Sequence, residues 1–112
     1  MVYRKDEPEK ILSQFIKETK KRIPVQKVIL FGSHAKGTPK KWSDIDIAVI
    51  SVKFAGMNDL ERIKLLLDCV HRTKYDLPVD IETFGYTPEE YESASHFDFL
   101  GIIKATGKVI YE

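Results

Sequence analysis

Two aspartates placed two residues apart, Asp44 and Asp46, are the residues of this chain best suited to chemistry. They open an apolar run that predicts a β-strand, in which alternate side chains project from the same face. Two carboxylates held side by side raise each other's pKa unless a cation lies between them. Carboxylate oxygens without histidine or cysteine favour hard ions such as Mg2+ over zinc. The pair therefore predicts a divalent metal site, and the alternative is a polar strand edge that faces solvent.

Gly32 and Ser33 supply a complementary feature, because they directly follow another apolar run, residues 28–31. A glycine lets backbone N–H groups approach an anion closely, and a helix that starts at Ser33 adds partial positive charge at its N-terminus. This turn therefore predicts a phosphate site. In the simpler interpretation Gly32 permits the turn and Ser33 caps a short helix, which uses the same N–H groups and is compatible with phosphate binding.

The order of these features resembles the signature of the DNA polymerase beta-like nucleotidyltransferase superfamily. Ten residues separate the Gly-Ser turn from the Asp-Ile-Asp pair, and the small size is similar to the minimal nucleotidyltransferase branch of that superfamily. The family pattern also has a third carboxylate on a later strand, which Asp80 supplies within a Val-Asp-Ile run. Glu82 is the alternative third carboxylate, because it lies two residues further on and shares the same strand face.

The resemblance implies a role for each of these residues. The catalytic residues, which would also hold two Mg2+ ions, are Asp44, Asp46 and Asp80. Asp80 would also accept or orient the proton of the acceptor hydroxyl. Gly32 and Ser33 would contact the β- and γ-phosphates of the nucleotide. Lys36 lies where many relatives carry arginine, and it would neutralise phosphate charge without the bidentate geometry of a guanidinium.

The same resemblance implies a Mg2+-dependent transfer of a nucleoside monophosphate, AMP from ATP, to a hydroxyl of a partner macromolecule. Members of the minimal branch are commonly paired with a HEPN-domain protein, a toxin-like ribonuclease that they bind and modify on a tyrosine, so the chain looks like the antitoxin of such a pair. The alternative is a non-catalytic antitoxin subunit that neutralises a HEPN protein by contact. A polymerase or tailing activity would need a basic, aromatic channel, which the sequence does not indicate.

Composition limits the other possibilities. The 112 residues predict a single domain over 1–112, and the formal net charge of +1 argues against a general nucleic-acid binder. The one cysteine, Cys69, excludes an intramolecular disulfide and fits a reducing compartment. No apolar run approaches the about 20 residues that span a bilayer, so we expect a cytoplasmic protein without a membrane segment. A homo-oligomer is left open.

Hydrophobic periodicity and turn residues predict the elements that position these side chains. The predicted elements of the first half are a helix over 8–22, a strand over 27–31, a short helix over 33–37 and a strand over 44–51. A helix follows from the N-cap Asn58 to about Thr73, and then a strand over 79–84 that Gly85 closes. The last elements are a helix that starts after the N-cap Thr87, is interrupted around 93–96 and stops at Gly107, and a strand over 108–111. The apolar face predicted for the helix after Asn58 consists of Leu60, Ile63, Leu66, Leu67 and Val70. Together they predict an α+β fold: the nucleotidyltransferase core, with about four strands in a mixed sheet and helices packed against it.

Overall fold

The computed structural model describes residues 7–37, 44–74, 80–95 and 97–112, except for the side chains of residues 7, 8, 34 and 36. Its elements are α1 (Glu7–Lys20), β1 (Lys27–Phe31), α2 (Ser33–Lys36), β2 (Ile45–Ile50), a 3-10 turn (Val52–Phe54), α3 (Asp59–Arg72), β3 (Ile81–Tyr86), α4 (Pro88–Glu92), α5 (Phe99–Thr106) and β4 (Lys108–Tyr111). None of these helices is long and apolar enough to cross a membrane.

The strands form one four-stranded sheet in the order β3-β2-β1-β4. β1 pairs antiparallel with both β2 and β4, whereas β2 and β3 are parallel neighbours. A parallel pair needs a long crossover connection, and α3 is that connection. The predicted mixed sheet with helices packed against it is therefore confirmed.

The sheet separates two apolar cores, because alternate residues of each strand face opposite sides. The larger core lies against α1 and α3 and includes Phe15, Ile47 and Leu66, all fully buried. Cys69 belongs to this core, as its helical spacing predicts. The smaller core lies against α4 and α5 and is built around Ile29, Ala48, Ile50, Tyr91, Leu100 and Ile103.

α3 begins with the capping box that the sequence predicts. The Asn58 side chain accepts a hydrogen bond from the Glu61 backbone N–H at 2.9 Å, and the Glu61 side chain accepts one from the Asn58 N–H at 3.0 Å. Only part of the predicted apolar face of α3 is buried. Leu66 and Val70 are buried, but the side chains of Leu60, Ile63 and Leu67 are 59%, 46% and 41% exposed. The apolar arc of α3 is wider than the part that the sheet covers, so a stripe of three apolar side chains remains at the surface.

The third strand extends further than predicted. Gly85 does not close it, because β3 continues to Tyr86, and the predicted first residue, Val79, lies outside the described residues. The glycine is required by a close approach: a Cβ atom at position 85 would lie 2.8 to 3.0 Å from three carbon atoms of the Phe54 ring. Phe54 is fully buried, so its ring cannot easily move away.

We therefore expect Gly85→Ala to lower the free energy of unfolding by about 1–3 kcal/mol, the usual cost of overpacking a core. Urea denaturation measures this loss. When Phe54 is first replaced by leucine, Gly85→Ala should lower the free energy of unfolding by less than it does in the wild type. The smaller side chain at position 54 leaves room for the added methyl group. Strictly additive effects of the two substitutions would contradict this explanation.

The C-terminal helices confirm the predicted interruption. Thr87 caps α4 in a capping box with Glu90, and Pro88 occupies its first turn. α4 ends at Glu92, and α5 starts only after Asp98, whose side chain accepts a hydrogen bond from the Gly101 N–H at 2.7 Å. This break lets α4 and α5 cover one face of the sheet together.

Candidate active site

Four carboxylates lie at one end of the sheet, on or directly before the neighbouring strands β2 and β3. Asp46 lies opposite Glu82 in the parallel ladder of β2 and β3. Asp44 and Asp80 lie one residue before β2 and β3 begin, so strand alternation fixes the side only of Asp46 and Glu82. This is the side that packs against α4 and α5, because Ala48, two residues after Asp46, belongs to that core. The exposed acids are Asp44, Asp80 and Glu82, whereas Asp46 is half-buried.

Among the neighbouring carboxylates, Glu82 acts most strongly on Asp46. Glu82 raises the pKa of Asp46 both as a hydrogen-bond partner and as a like charge. Burial, this hydrogen bond and the charges of Glu82 and Asp44 raise the pKa of Asp46 from 3.8 to about 6. The Asp80 backbone carbonyl accepts a hydrogen bond from the Ile45 N–H at 2.9 Å, which fixes the segment beside the start of β2.

Gly32 brings the predicted phosphate turn against these acids. β1 ends at Phe31, opposite Asp46, and Gly32 follows with a φ of 76°, a conformation that side chains rarely adopt. A Cβ atom at Gly32 would overlap the Asp46 Oδ2 atom. Ser33 then starts α2 and is half-buried. Lys36 ends the same helix, and its side chain lies outside the part of the structure that is described.

An aromatic cluster that we did not predict borders the carboxylates. The rings of Phe31, Phe84 and Phe99 lie 5.3 to 5.8 Å apart, measured between centroids, and Phe99 is half exposed. Phe31 lies opposite Asp46, and Phe84 lies two residues after Glu82. Strand alternation could have placed these two rings on the carboxylate face, but the contribution of Phe99 depends on how α5 packs.

The donor set suits a hard cation, although the acids are not gathered around one point. Within the described ranges, no group of three histidine, cysteine, aspartate or glutamate side chains is arranged to hold a metal ion. Burial first, and then the neighbouring carboxylates Glu82 and Asp44, disfavour the charged form of Asp46 and raise its pKa. A divalent ion with oxygen ligands would relieve that repulsion.

The shifted pKa of Asp46 predicts a pH-dependent stability in metal-free buffer. Because its folded-state pKa of about 6 exceeds the unfolded value near 3.9, the folded state binds the proton more tightly. The resulting stabilisation is complete below about pH 4 and is lost as the pH rises through 6, an effect of about 1–2 kcal/mol after allowance for solvent screening. Urea denaturation in EDTA between pH 4.5 and 7.5 measures it.

Asp46→Asn should remove that part of the pH dependence and be more stable than the wild type at pH 7.5. Glu92→Gln, which neutralises an exposed carboxylate on α4, is the matched control. Its free energy of unfolding should change with pH as steeply as that of the wild type. Equal slopes for the wild type and Asp46→Asn would show that Asp46 binds its proton no more tightly in the folded state.

Comparisons with known proteins identify relatives of this chain. A protein of Methanocaldococcus jannaschii, MJ1305, provisionally named a protein adenylyltransferase, is 30% identical over 104 residues, which cover 91% of this chain and 70% of that protein. A toxin–antitoxin crystal structure with AMP-PNP superposes with a TM-score of 0.61 at 27% identity, over 88% of this chain and 71% of that one.

Two further structures share the fold. A provisionally named nucleotidyltransferase of Sulfolobus solfataricus has a TM-score of 0.65 at 19% identity, with 92% of this chain and 78% of that one covered. A mutant MntA–HpeT toxin–antitoxin structure has a TM-score of 0.57 at 23% identity, with 88% and 70% covered. The model of the nucleotidyltransferase domain family matches residues 12–103, a range that contains the Gly-Ser turn and all four carboxylates. The chain therefore belongs to the nucleotidyltransferase domain family and is an enzyme of that class.

Proposed function

We propose that this chain transfers AMP from ATP to a tyrosine hydroxyl of a HEPN-domain toxin in a Mg2+-dependent reaction, and that it acts as the antitoxin in the cytoplasm. The observation that carries the proposal is the contact between the Gly32 turn and the Asp46 carboxylate. The proximity of Gly32 to Asp46 supports the proposal, because the turn suits a phosphate and the carboxylate suits a divalent cation. A nucleotide triphosphate with its magnesium is the ligand that needs both.

The residues would act as follows. Asp44, Asp46 and Asp80 would hold the magnesium, and Glu82 would remain beside Asp46 and modulate its affinity for protons. When bound, the metal supplies positive charge that offsets the charge of the phosphates during transfer. The N–H groups of Gly32 and Ser33 would hold the β- and γ-phosphates, and Lys36 would neutralise part of the phosphate charge.

The proposed chemistry is a single displacement at the α-phosphorus. The acceptor oxygen forms a bond to that phosphorus while the bond to the bridging oxygen of the β-phosphate breaks, so pyrophosphate leaves with the electron pair. Asp80 accepts or orients the proton of the acceptor hydroxyl and passes it to solvent. The products are an AMP ester of the acceptor and pyrophosphate.

The choice of nucleotide and acceptor is supported by relatives. The protein at 30% identity has a name that describes AMP transfer to protein, and a structure at 27% identity is a toxin–antitoxin assembly with an ATP analogue. Protein as acceptor, AMP as the transferred group and a toxin as partner are extended from these proteins to this chain. The HEPN domain and its tyrosine come from the resemblance to the minimal nucleotidyltransferase branch.

Transfer of label from ATP tests the proposal. The chain is purified with the product of the neighbouring gene, tested as the proposed HEPN-domain partner, and incubated with Mg2+ and ATP labelled at the α-phosphate. We expect label on a tyrosine of the partner, whereas ATP labelled at the γ-phosphate should leave none. A stable complex that binds ATP and gives no label would overturn the catalytic proposal and favour neutralisation by contact.

Gly32→Ala should impair nucleotide binding through the Asp46 carboxylate. We expect an affinity for Mg2+-ATP about 10-fold lower and a stability loss of about 1–2 kcal/mol, because alanine at a φ of 76° is strained and its methyl group displaces the carboxylate. Gly37→Ala is the matched control, since its φ is 72° but nothing lies within 4 Å of an added Cβ. It should lose similar stability and keep its ATP affinity, as measured by calorimetry. Equal losses of affinity in both variants would contradict a specific contact with Asp46.

A further inference from the structure

The outer edge of β3 carries a groove that the proposed nucleotide site does not use. β3 is the terminal strand of the sheet, and no described residue pairs with its outer side. The groove has a volume of about 350 Å3 and follows that edge. Asp59, Arg62 and Ile63 of α3 form one wall, and the rings of Phe84 and Phe99 form the other.

The backbone of β3 presents hydrogen-bonding groups to this groove. The carbonyls of Asp80 and Tyr86 accept hydrogen bonds from the β2 side at 2.9 Å, so the residues in register with them face β2. The intervening residues, Thr83 and Gly85, must therefore direct their N–H and C=O groups outward. The Gly85 carbonyl accepts a hydrogen bond from the Arg62 guanidinium at 3.1 Å, which agrees with this direction. Because Arg62 already engages that carbonyl, the part of the edge that is complementary to the main chain of another polypeptide is at Thr83.

Apolar side chains flank the edge on both sides. Ile63, in the wall of the groove, continues into the exposed stripe of α3 with Leu60 and Leu67. Across the edge, Phe99 is 50% exposed. A strand added at this edge would rest its alternate side chains on these two surfaces, because side chains of an extended chain point alternately to opposite faces.

The charges in the groove argue against a nucleic acid. Burial, followed by the charges of Asp59, Glu90 and Asp98, raises the pKa of Tyr86, a residue of the groove wall. The Arg62 guanidinium is engaged by Glu90 at 2.7 Å and is only 11% exposed. The guanidinium in the described lining is therefore already paired and largely buried, so it cannot attract phosphates, and the groove favours a polypeptide over a nucleic acid.

The position of the groove indicates its occupant. Within the sheet, β1 with the Gly32 turn lies on one side of Asp46, and β3 with Glu82 lies on the other. With the triphosphate at the Gly32 turn, an acceptor can approach from the β3 side. We propose that the acceptor polypeptide adds to the outer edge of β3 as an extended strand. At the usual strand spacing of about 4.8 Å, its side chain opposite Glu82 points toward the carboxylates. This inference rests on the proposed function.

Two substitutions and one control test the docking surface. Thr83→Pro removes the outward N–H without removing a bond to β2, and Ile63→Lys places a charge in the apolar wall. With the product of the neighbouring gene as acceptor, we expect each to raise the KM for that protein about 10-fold or more, the equivalent of one interface hydrogen bond or apolar contact. The KM for ATP and the melting temperature should be unchanged. Val109→Lys, at an exposed residue of β4 on the opposite edge, should leave the acceptor KM unchanged, and equal KM values in all variants would overturn the proposal.

Hydrogen exchange separates this inference from the proposed reaction. In the wild-type complex, the Thr83 amide should become protected on binding of the partner, whether or not AMP is transferred. Protection without labelling would reject the reaction and retain the docking surface. Labelling without protection at residues 81–86 would overturn the docking surface and retain the reaction. Protection of Thr83 in the free chain through self-association, or labelling of an RNA oligonucleotide in place of the protein, would also overturn it.

Discussion

Asp46→Asn is expected to lower the rate of AMP transfer at least about 1,000-fold, in the range found when a metal-binding or catalytic carboxylate is lost. Asparagine keeps the size of the side chain and loses the charge that would attract the cation. The same substitution removes a carboxylate whose pKa is raised to about 6 by burial and by its neighbours. Activity should therefore fall while stability at neutral pH rises, a combination that misfolding cannot produce.

The rate is measured by transfer of α-labelled phosphate to the HEPN-domain partner at saturating Mg2+-ATP, and stability by urea denaturation of the same preparations. Asp44→Asn should cause a loss of the same order, because Asp44 is the second member of the pair. Glu92→Gln is the control for the removal of an acid and should transfer AMP at the wild-type rate. An Asp46→Asn variant within about tenfold of the wild type would reject a metal-binding role for this residue.

The second large effect distinguishes the two candidates for the third carboxylate. We expect Asp80→Asn to reduce transfer about 100-fold or more and Glu82→Gln about 10-fold. Asp80 is exposed, and its backbone is tied to the start of β2, so its carboxylate is available to the acceptor hydroxyl. Glu82 already shares a hydrogen bond with Asp46. Its loss should act mainly by lowering the pKa of Asp46.

The pH dependence of stability also distinguishes Glu82 from Asp80. Glu82→Gln should weaken the dependence of stability on pH between 4 and 6, because it removes a charge that raises the pKa of Asp46. Asp80→Asn should leave that dependence unchanged, since Asp80 is not among the groups that shift Asp46. If Glu82→Gln instead causes the larger loss of transfer, the third carboxylate is Glu82, and Asp80 is a surface residue.

Local patterns in the sequence were sufficient for much of the fold. The apolar run of β1, the capping boxes at Asn58 and Thr87 and the stop at Gly107 all depend on residues within one or two turns of chain, and the structure contains each of them. The prediction that Asp44 and Asp46 share one strand face follows from alternation alone. These features needed no knowledge of distant partners.

Three features depended on distant partners and could not be predicted in this way. Gly85 lies inside β3 because the Phe54 ring, 31 positions earlier in the sequence, packs against it. Three of the five apolar side chains predicted to form one face of α3 are exposed, because the sheet covers only part of that helix. The third ring of the aromatic cluster, Phe99, reaches the carboxylates only through the packing of α5.

The sequence by itself determined which groups are available for the proposed chemistry: a Gly-Ser turn proposed for phosphate, carboxylates proposed for a hard cation, and the strands that present them. Only the tertiary structure decided which of these groups meet. Strand register pairs Asp46 with Glu82, and the antiparallel contact of β1 with β2 brings Gly32 against the Asp46 carboxylate. The physical reason is that residue types and spacing act over a few positions, whereas register and burial are set by contacts between segments far apart in the chain.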